Sequence, residues 1–320
     1  MDWIERLNKT LAYIETHLAD EIDYGQLAKI ACCSSYQFQR MFAYIANMPL
    51  PEYIRRRRMS LAAVELQSGE KIIDVALKYG YTSPTAFNRA FQVIHGIAPS
   101  QAKKSGAVLK SYPKINFKLI AKGVEEMEFR IEKHEEMRVL GVSAPLSEDV
   151  EKAYEQAEAL WEKVLFEGAP QDKEGNPLDT GVLCNALNTA ANVKYPDGGS
   201  IKYDGFFGIE VETEIEGEHG GGQYMIAVES PAPESDMLKA YTIPAHTWAI
   251  FKGSNFFAEE YNTAASAIAV EERIYSEWLP TSGYELAGNV RVHFLFATTD
   301  LTNAPFEIWL PVTRDARVSS

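Results

Sequence analysis

The sequence predicts two domains of different class. Residues 1–106 read as an all-α unit, residues 126–314 as an α+β domain of two β-α-β-β halves sharing an antiparallel sheet, and residues 107–125 as the linker between them. Three observations predict this. Apolar residues recur at helical spacing through the first third of the chain, whereas strand-like and long helical segments alternate through the rest. The length of 320 residues exceeds one average domain. Charge divides at the same place: residues 1–110 hold 14 Lys+Arg against 10 Asp+Glu, and the remaining 210 hold 17 against 35, within a net charge of −14.

In the first unit, Trp3, Leu7, Leu11, Ile14 and Leu18 form one apolar stripe over residues 3–18. Asp23 is placed to cap a second helix over 24–31, and "CCSS" separates it from a third over 35–46. The segment "LPEYIRRRRMSLAAVELQSG" gives a longer helix ending near Gly69. "EKIIDVALKYG" stops at Gly80, "TSP" opens a helix with Pro84 in its first turn that reaches about His95, and "GIAPSQAKK" adds a last short turn. Residues 107–125 lack a helical period and read as a linker with some extended structure.

Beyond the linker, a strand or hairpin is expected around 126–142 and an amphipathic helix near 148–166. Extended segments near 180–190 and 205–215 follow, divided by "YPDGGS". "MLKAYTIPAHTWAIFKG" is strand-like, residues 256–277 helical, and "RVHFLFATT" and "FEIWLPV" are strands. The β-α-β-β order therefore occurs twice.

Two stretches of the helical unit match each other. Leu27 and Ala28 correspond to Val75 and Ala76 at an offset of 48, and Phe38, Arg40 and Phe42 to Phe87, Arg89 and Phe91 at an offset of 49. The paired phenylalanines are four apart, so each pair lies on one helix face and is expected in the core, with the polar residues between them turned outward. This is a double helix-turn-helix, in which each second helix offers its N-terminal half to the DNA major groove. The contact candidates are Tyr36, Gln37, Gln39 and Arg40 in the first unit and Ser83, Thr85, Asn88 and Arg89 in the second. Arg, Gln and Asn match base edges, and Ser, Thr and Tyr hold phosphates. Of the Arg55–Arg58 run, Arg55 and Arg56 are candidates for phosphate while others pair with acids. The first copy is the richer in long donors and is expected to read bases more strongly.

On these motifs, "LAKIACCSSYQFQRMF", "LPEYIRRRRMSLAA" and "IIDVALKYGYTSPTAFNRAFQVIHGIAPSQAKK", residues 5–104 resemble the DNA-binding domain of the AraC/XylS transcription regulators. The resemblance implies two helix-turn-helix units, joined by a long helix, entering successive major grooves of double-stranded DNA. Cys32 and Cys33 stand where that family has Gly and an aromatic, and Asn47 where it has Gly; Asn tolerates left-handed backbone.

The C-terminal domain is rich in aromatics, among them Trp248, Trp278, Tyr284, Phe294 and Trp309. Glu307 and Trp309 share a strand face, and a carboxylate beside aromatic rings suits an organic cation; an edge carboxylate facing water is the bland alternative. With "IYSEWLPTSGYEL", "FEIWLPV" and the doubled order, residues 126–314 resemble the GyrI-like effector-binding domain of Rob-like regulators. That resemblance implies a small hydrophobic or cationic effector held by Glu307, Trp309, Trp278 and Tyr284. Trp248 and Phe294 are further aromatic candidates of the same domain, and contact with RNA polymerase is a further expectation. Two competing readings are a hydrolase using Glu307 with Tyr284, and a DNA-binding protein without a ligand. The His residues at 134, 219, 246 and 293 lack metal-ligand spacing, "HGGGQ" precedes no helix as a phosphate loop would, and Cys184 has no base nearby in sequence. No cofactor, no metal and no catalytic role are expected. Three cysteines without a disulfide pattern, no signal segment and no long apolar run point to the cytoplasm and away from a membrane.

Overall fold

The computed structural model describes residues 3–104, 106–117, 126–147, 150–175, 179–196, 199–212, 222–253, 263–297 and 304–314. The chain divides into two compact units, residues 1–120 and 121–320.

The first unit is helical: α1 (Trp3–Thr16), α2 (Tyr24–Ala31), α3 (Ser35–Ala46), α4 (Leu50–Gln67), α5 (Ile72–Lys78), α6 (Pro84–His95) and α7 (Pro99–Ala102). Its boundaries follow local chemistry. The Asp23 carboxylate accepts from Gln26 N–H at 3.1 Å and Ser34 Oγ from Gln37 N–H at 3.0 Å, so α2 and α3 each start from a side-chain cap. Both end on a residue in left-handed backbone, Cys32 at φ 56° and Asn47 at φ 50°, a conformation common where a helix terminates. The repeated phenylalanines Phe38, Phe42, Phe87 and Phe91 are all fully buried. Each contributes about 2–3 kcal/mol by leaving water.

The arginine run splits by helical position. Arg57 forks onto Glu15 of α1, and Arg58 donates to the Leu18 and Asp20 carbonyls at the end of that helix. Arg55 and Arg56 both reach back to Glu52.

Residues 107–117 are not a free linker. Tyr112 N–H donates to Ser60 Oγ (2.9 Å), Ile115 N–H to the Tyr53 hydroxyl (3.2 Å), and Phe117 N–H to Asn8 Oδ1 (2.8 Å), while Asn8 Nδ2 returns a bond to Phe117 O. Leu109 and Tyr112 pack on the core around Phe87 and Phe91, and Phe117 on Phe42. The segment is a strap over the helices, its backbone groups satisfied by side chains of α1 and α4.

The second unit holds β1 (Phe129–His134), β2 (Met137–Leu146), α8 (Val150–Phe166), α9 (Val182–Ala191), β3 (Gly205–Glu212), β4 (Gly222–Glu229), β5 (Lys239–Ile243), β6 (His246–Gly253), α10 (Thr263–Arg273) continuing into a π-helical turn (Ile274–Trp278), β7 (Tyr284–Leu286), β8 (Val290–Phe296) and β9 (Phe306–Arg314). Among the described residues nine strands form one antiparallel sheet in the order β1-β6-β9-β8-β3-β4-β2-β5, with β7 added on β9. The doubled order is present as β2-α8-β3-β4 and β6-α10-β8-β9.

One expectation is corrected and another is narrowed. Residues 182–191 form a helix, not a strand: Cys184, Leu187 and Ala190 recur every third residue and are the buried ones. Of the two alternatives expected around 126–142, strand or hairpin, the hairpin is not formed: the segment is strand, with β1 paired to β6 and β2 to β4 and β5. The register shows why. Counting on from His134↔His246 across 135–136 and 244–245 arrives at Met137↔Ile243, so β1–β2 and β5–β6 are two long strands of one ladder, broken only at Glu135-Glu136 and Pro244-Ala245. This ribbon ties the two ends of the sheet together, and the sheet curls on itself. The predicted helical residues 256–262, His219 and most of "HGGGQ" lie outside the described residues.

Strand alternation gives the sheet two unlike faces. Helices cover one, where Trp161 of α8 donates to the Tyr224 hydroxyl at 3.0 Å. Arg291 also lies there, paired with Glu210 and with Glu271, whose carboxylate meets His293 Nε2 at 2.9 Å. The other, inner face carries Val139, Phe207, Ile209, Met225, Trp248, Ile250, Phe294 and Trp309 as one buried cluster drawn from both halves.

Candidate functional sites

The two helix-turn-helix units present their second helices differently. On α6, Thr85, Asn88 and Arg89 are exposed, as is Ser83 just before it. Ser83 Oγ accepts from Ala86 N–H at 3.4 Å and so caps the helix from its exposed position. Gln92, unremarked at the level of sequence, is exposed one turn beyond Asn88 and Arg89 and extends the same polar face. Its spacing from Asn88 was the available signal.

On α3, Gln37 is half-buried, while Tyr36, Gln39 and Arg40 are buried. The expectation that Gln39 and Arg40 turn outward is therefore not met. Tyr36 and Tyr44 lie four residues before and after Arg40, hence on its helix face. The guanidinium donates to the Tyr44 hydroxyl at 3.0 Å and the Tyr36 hydroxyl at 3.4 Å, with its carbon 5.8 and 5.9 Å from the two ring centroids. By exposure the second copy, with fewer long donors, is the more open of the two. On α4, Arg55 and Arg56 share Glu52, and Arg56 also lies 5.0 Å from the Tyr112 ring centroid.

The effector candidates also separate. Glu307, Trp309, Trp248 and Phe294 lie together on the inner face. Trp309 donates its indole N–H to Glu307 Oε2 at 2.9 Å, and its ring lies 6.1 Å from Trp248 and 6.2 Å from Phe294 between centroids. Tyr203, in the segment leading into β3, closes over them, with its ring 5.2 Å from Trp309 and 5.5 Å from Phe294. Trp278 and Tyr284 are elsewhere. They stack on each other at 5.9 Å and 15°, and Trp278 packs 4.8 Å from Phe251, which faces away from the inner cluster because it adjoins Ile250 in β6. The pair Glu307 with Tyr284, considered for hydrolysis, is therefore not assembled.

The inner face carries more charge than the sequence revealed. Arg130 on edge strand β1 reaches Glu307 with two bonds, Nη1 to Oε1 at 2.6 Å and Nη2 to Oε2 at 3.0 Å, and Glu132 with Nε at 2.8 Å. Glu132 meets His134 Nε2 at 2.8 Å, and His134 Nδ1 meets the Tyr203 hydroxyl at 2.9 Å. At the far side, Glu229 accepts from the Tyr195 hydroxyl and from the backbone N–H of Lys202 and Tyr203. The His134 hydrogen bond holds the Glu132 carboxyl below its usual range, with Arg130 adding to it. Burial first, then the charges of Glu132 and Glu229, push the Tyr203 hydroxyl up to about 12. Three carboxylates thus surround the aromatic cluster against one guanidinium. The Trp248 indole N–H is buried there with no hydrogen-bond partner among the described residues. Arg130, Glu132, Tyr203 and Glu229 were missed because their roles depend on the ribbon and on the chain before β3, neither of which has a local sequence mark.

Among the described residues no group of three or more His, Cys, Asp or Glu is placed to hold a metal, and no helix is long and apolar enough to cross a membrane.

Comparison with known proteins bears on both units. A helix-turn-helix domain family matches residues 27–105, and the GyrI-like small molecule binding domain family matches residues 127–313, more than half of the chain. The transcriptional activator AarP of Providencia stuartii is 39% identical over 95 residues, covering 29% of this chain and 70% of AarP. The regulatory protein SoxS of Escherichia coli is 39% identical over 83 residues, 26% of this chain and 78% of SoxS. A crystal structure of a putative bacterial transcription regulation protein from Staphylococcus aureus overlaps 59% of this chain and 99% of its own, at 17% identity and a TM-score of 0.41.

Proposed function

The chain belongs to the GyrI-like family and is an AraC-type transcription regulator, and from that premise we propose that a small lipophilic cation held on the inner face of the sheet modulates its action at a promoter. The observation that carries the reading is the inner face itself: an aromatic cluster of Trp248, Trp309, Tyr203 and Phe294 ringed by Glu132, Glu229 and Glu307, with an unmatched Trp248 N–H beside it. Aromatic faces and carboxylates favour an organic cation, and a buried indole donor favours one that also carries an acceptor. Sequence-specific contact with double-stranded DNA belongs to Thr85, Asn88, Arg89 and Gln92 of α6, with Ser83 at its start, Gln37 on α3, and Arg55 and Arg56 at phosphates. Tyr36, Gln39 and Arg40 hold α3 in shape behind that surface. RNA polymerase is the partner through which the bound promoter is read.

The test is a titration of the whole protein with tetraphenylphosphonium, a rigid cation without hydrogen-bond donors, followed by tryptophan quenching. Saturable quenching that Glu307→Gln weakens at least tenfold, while leaving a neutral aromatic of equal size unaffected, is the expected result. Equal loss for both compounds would overturn the charge role of Glu307.

A further inference from the structure

We propose that Arg130 is a tethered occupant of the cation site, a built-in competitor that an effector has to displace from Glu307. The proposal rests on the effector reading above and adds to it the residue that sets affinity and selectivity.

Four observations carry it. Glu307 is only 4% exposed, and its carboxylate is engaged by both terminal nitrogens of Arg130 and by the Trp309 indole. A carboxylate so placed needs a cation, since an unpaired buried charge costs several kcal/mol. Arg130 meets that need from the edge strand. Across the ladders it stands in line with Ile250 and then Trp309, and therefore on the inner face. Its side chain keeps 33% of its surface in water, so it approaches the buried carboxylate from the solvent side, where an incoming molecule would also enter. Finally, it has a second acceptor. Glu132, two residues along the same strand face and 42% exposed, already takes Arg130 Nε, so the guanidinium can leave Glu307 without losing every ion pair.

A guest cation on Glu307 replaces one ion pair by another and releases Arg130 toward Glu132. Part of the electrostatic gain from Glu307 is then offset by the loss of Arg130, so aromatic contact area weighs more heavily in discrimination. Small hydrophilic cations, which bring charge but little surface, cannot displace the arginine. Bulky aromatic cations can.

The experiment compares the full chain with Arg130→Met and Arg130→Gln for tetraphenylphosphonium binding by calorimetry, alongside thermal unfolding. Removal of the competitor is expected to tighten tetraphenylphosphonium at least tenfold and to let tetramethylammonium bind, while both variants unfold at lower temperature in its absence and recover more on binding than the unaltered protein does. Arg130→Gln keeps polar contact at the position and covers the case in which the Met variant fails to fold. Unchanged or weaker binding by folded variants would overturn the proposal and leave the effector reading standing. No binding by any of the three proteins would overturn both.

Discussion

Arg57 Nη2 stands 2.7 Å from Glu15 Oε2, and its Nε 2.8 Å from Glu15 Oε1, a two-pronged pair that fixes α4 to α1 across 42 positions of sequence. The Tyr53 hydroxyl donates to the same carboxylate at 2.7 Å. Burial pushes the Glu15 carboxyl up, but the Arg57 and Tyr53 hydrogen bonds and the Arg57 charge together hold it below the usual range.

Glu15→Gln is accordingly expected to destabilise the protein by about 2 kcal/mol, since it strands a mostly buried guanidinium. For a unit of roughly this size that lowers its melting temperature by about 10 °C. A carboxyl depressed in the folded state stabilises above its unfolded pKa, and that contribution is lost as pH falls through the folded value. Thermal unfolding of the unaltered protein between pH 6 and pH 3 therefore shows a steeper acid loss than the Gln variant.

His95 gives a second pH dependence, nearer neutrality. It is buried against Met59 O at 3.1 Å through Nε2 and accepts Lys110 N–H at Nδ1, at 3.2 Å. Burial lowers its pKa, and the neutral ring is the one that fits both bonds. The unfolded chain then binds the proton more readily, so stability is full above the unfolded histidine pKa and declines as pH falls below it toward the folded value. Chemical unfolding at pH 7.5 and 5.5 is expected to show this decline, and His95→Gln to abolish it.

The strap predicts a difference between two fragments. A protein ending at residue 106 lacks the Tyr112, Ile115 and Phe117 backbone bonds and the burial of Leu109 and Phe117 on the helices; one ending at 117 keeps them. The shorter is expected to be less stable by about 3 kcal/mol in urea unfolding. Equal midpoints would show the strap to be mere surface decoration.

On DNA, Arg89→Ala is expected to weaken a duplex selected by the unaltered protein from a randomised pool by roughly 10- to 100-fold, with altered preference at one position. Arg40→Ala should instead act mainly on stability, because it removes the charge clasped by Tyr36 and Tyr44. Fluorescence anisotropy read beside melting temperature separates the two.

Helices and caps were legible because their causes are local: Asp23, the apolar spacing of residues 3–18, and the paired phenylalanines all act within a few residues. Orientation on α3 was less so, since two tyrosines four residues to either side of Arg40 look like ordinary core until their hydroxyls are seen to meet it. In the second unit, Glu307 and Trp309 could be read from one strand. Arg130 could not, because it arrives from 177 positions away through a pairing that only the folded ribbon defines. Residues 182–191 were misread because Val182, Leu183 and Leu187 suit a strand as well as a helix when the run is short.

The ribbon has a mechanical consequence. The strand preceding each half pairs with the other half, β1 with β6 and β5 with β2, so the halves are cross-braced like two hands gripping each other's wrists. On the proposal above, a guest that widened the inner face would have to bend both strands, whose pairing is already interrupted at 135–136 and 244–245. Arg130 sits on one of these bracing strands, so a bend that opened its seat would also carry it.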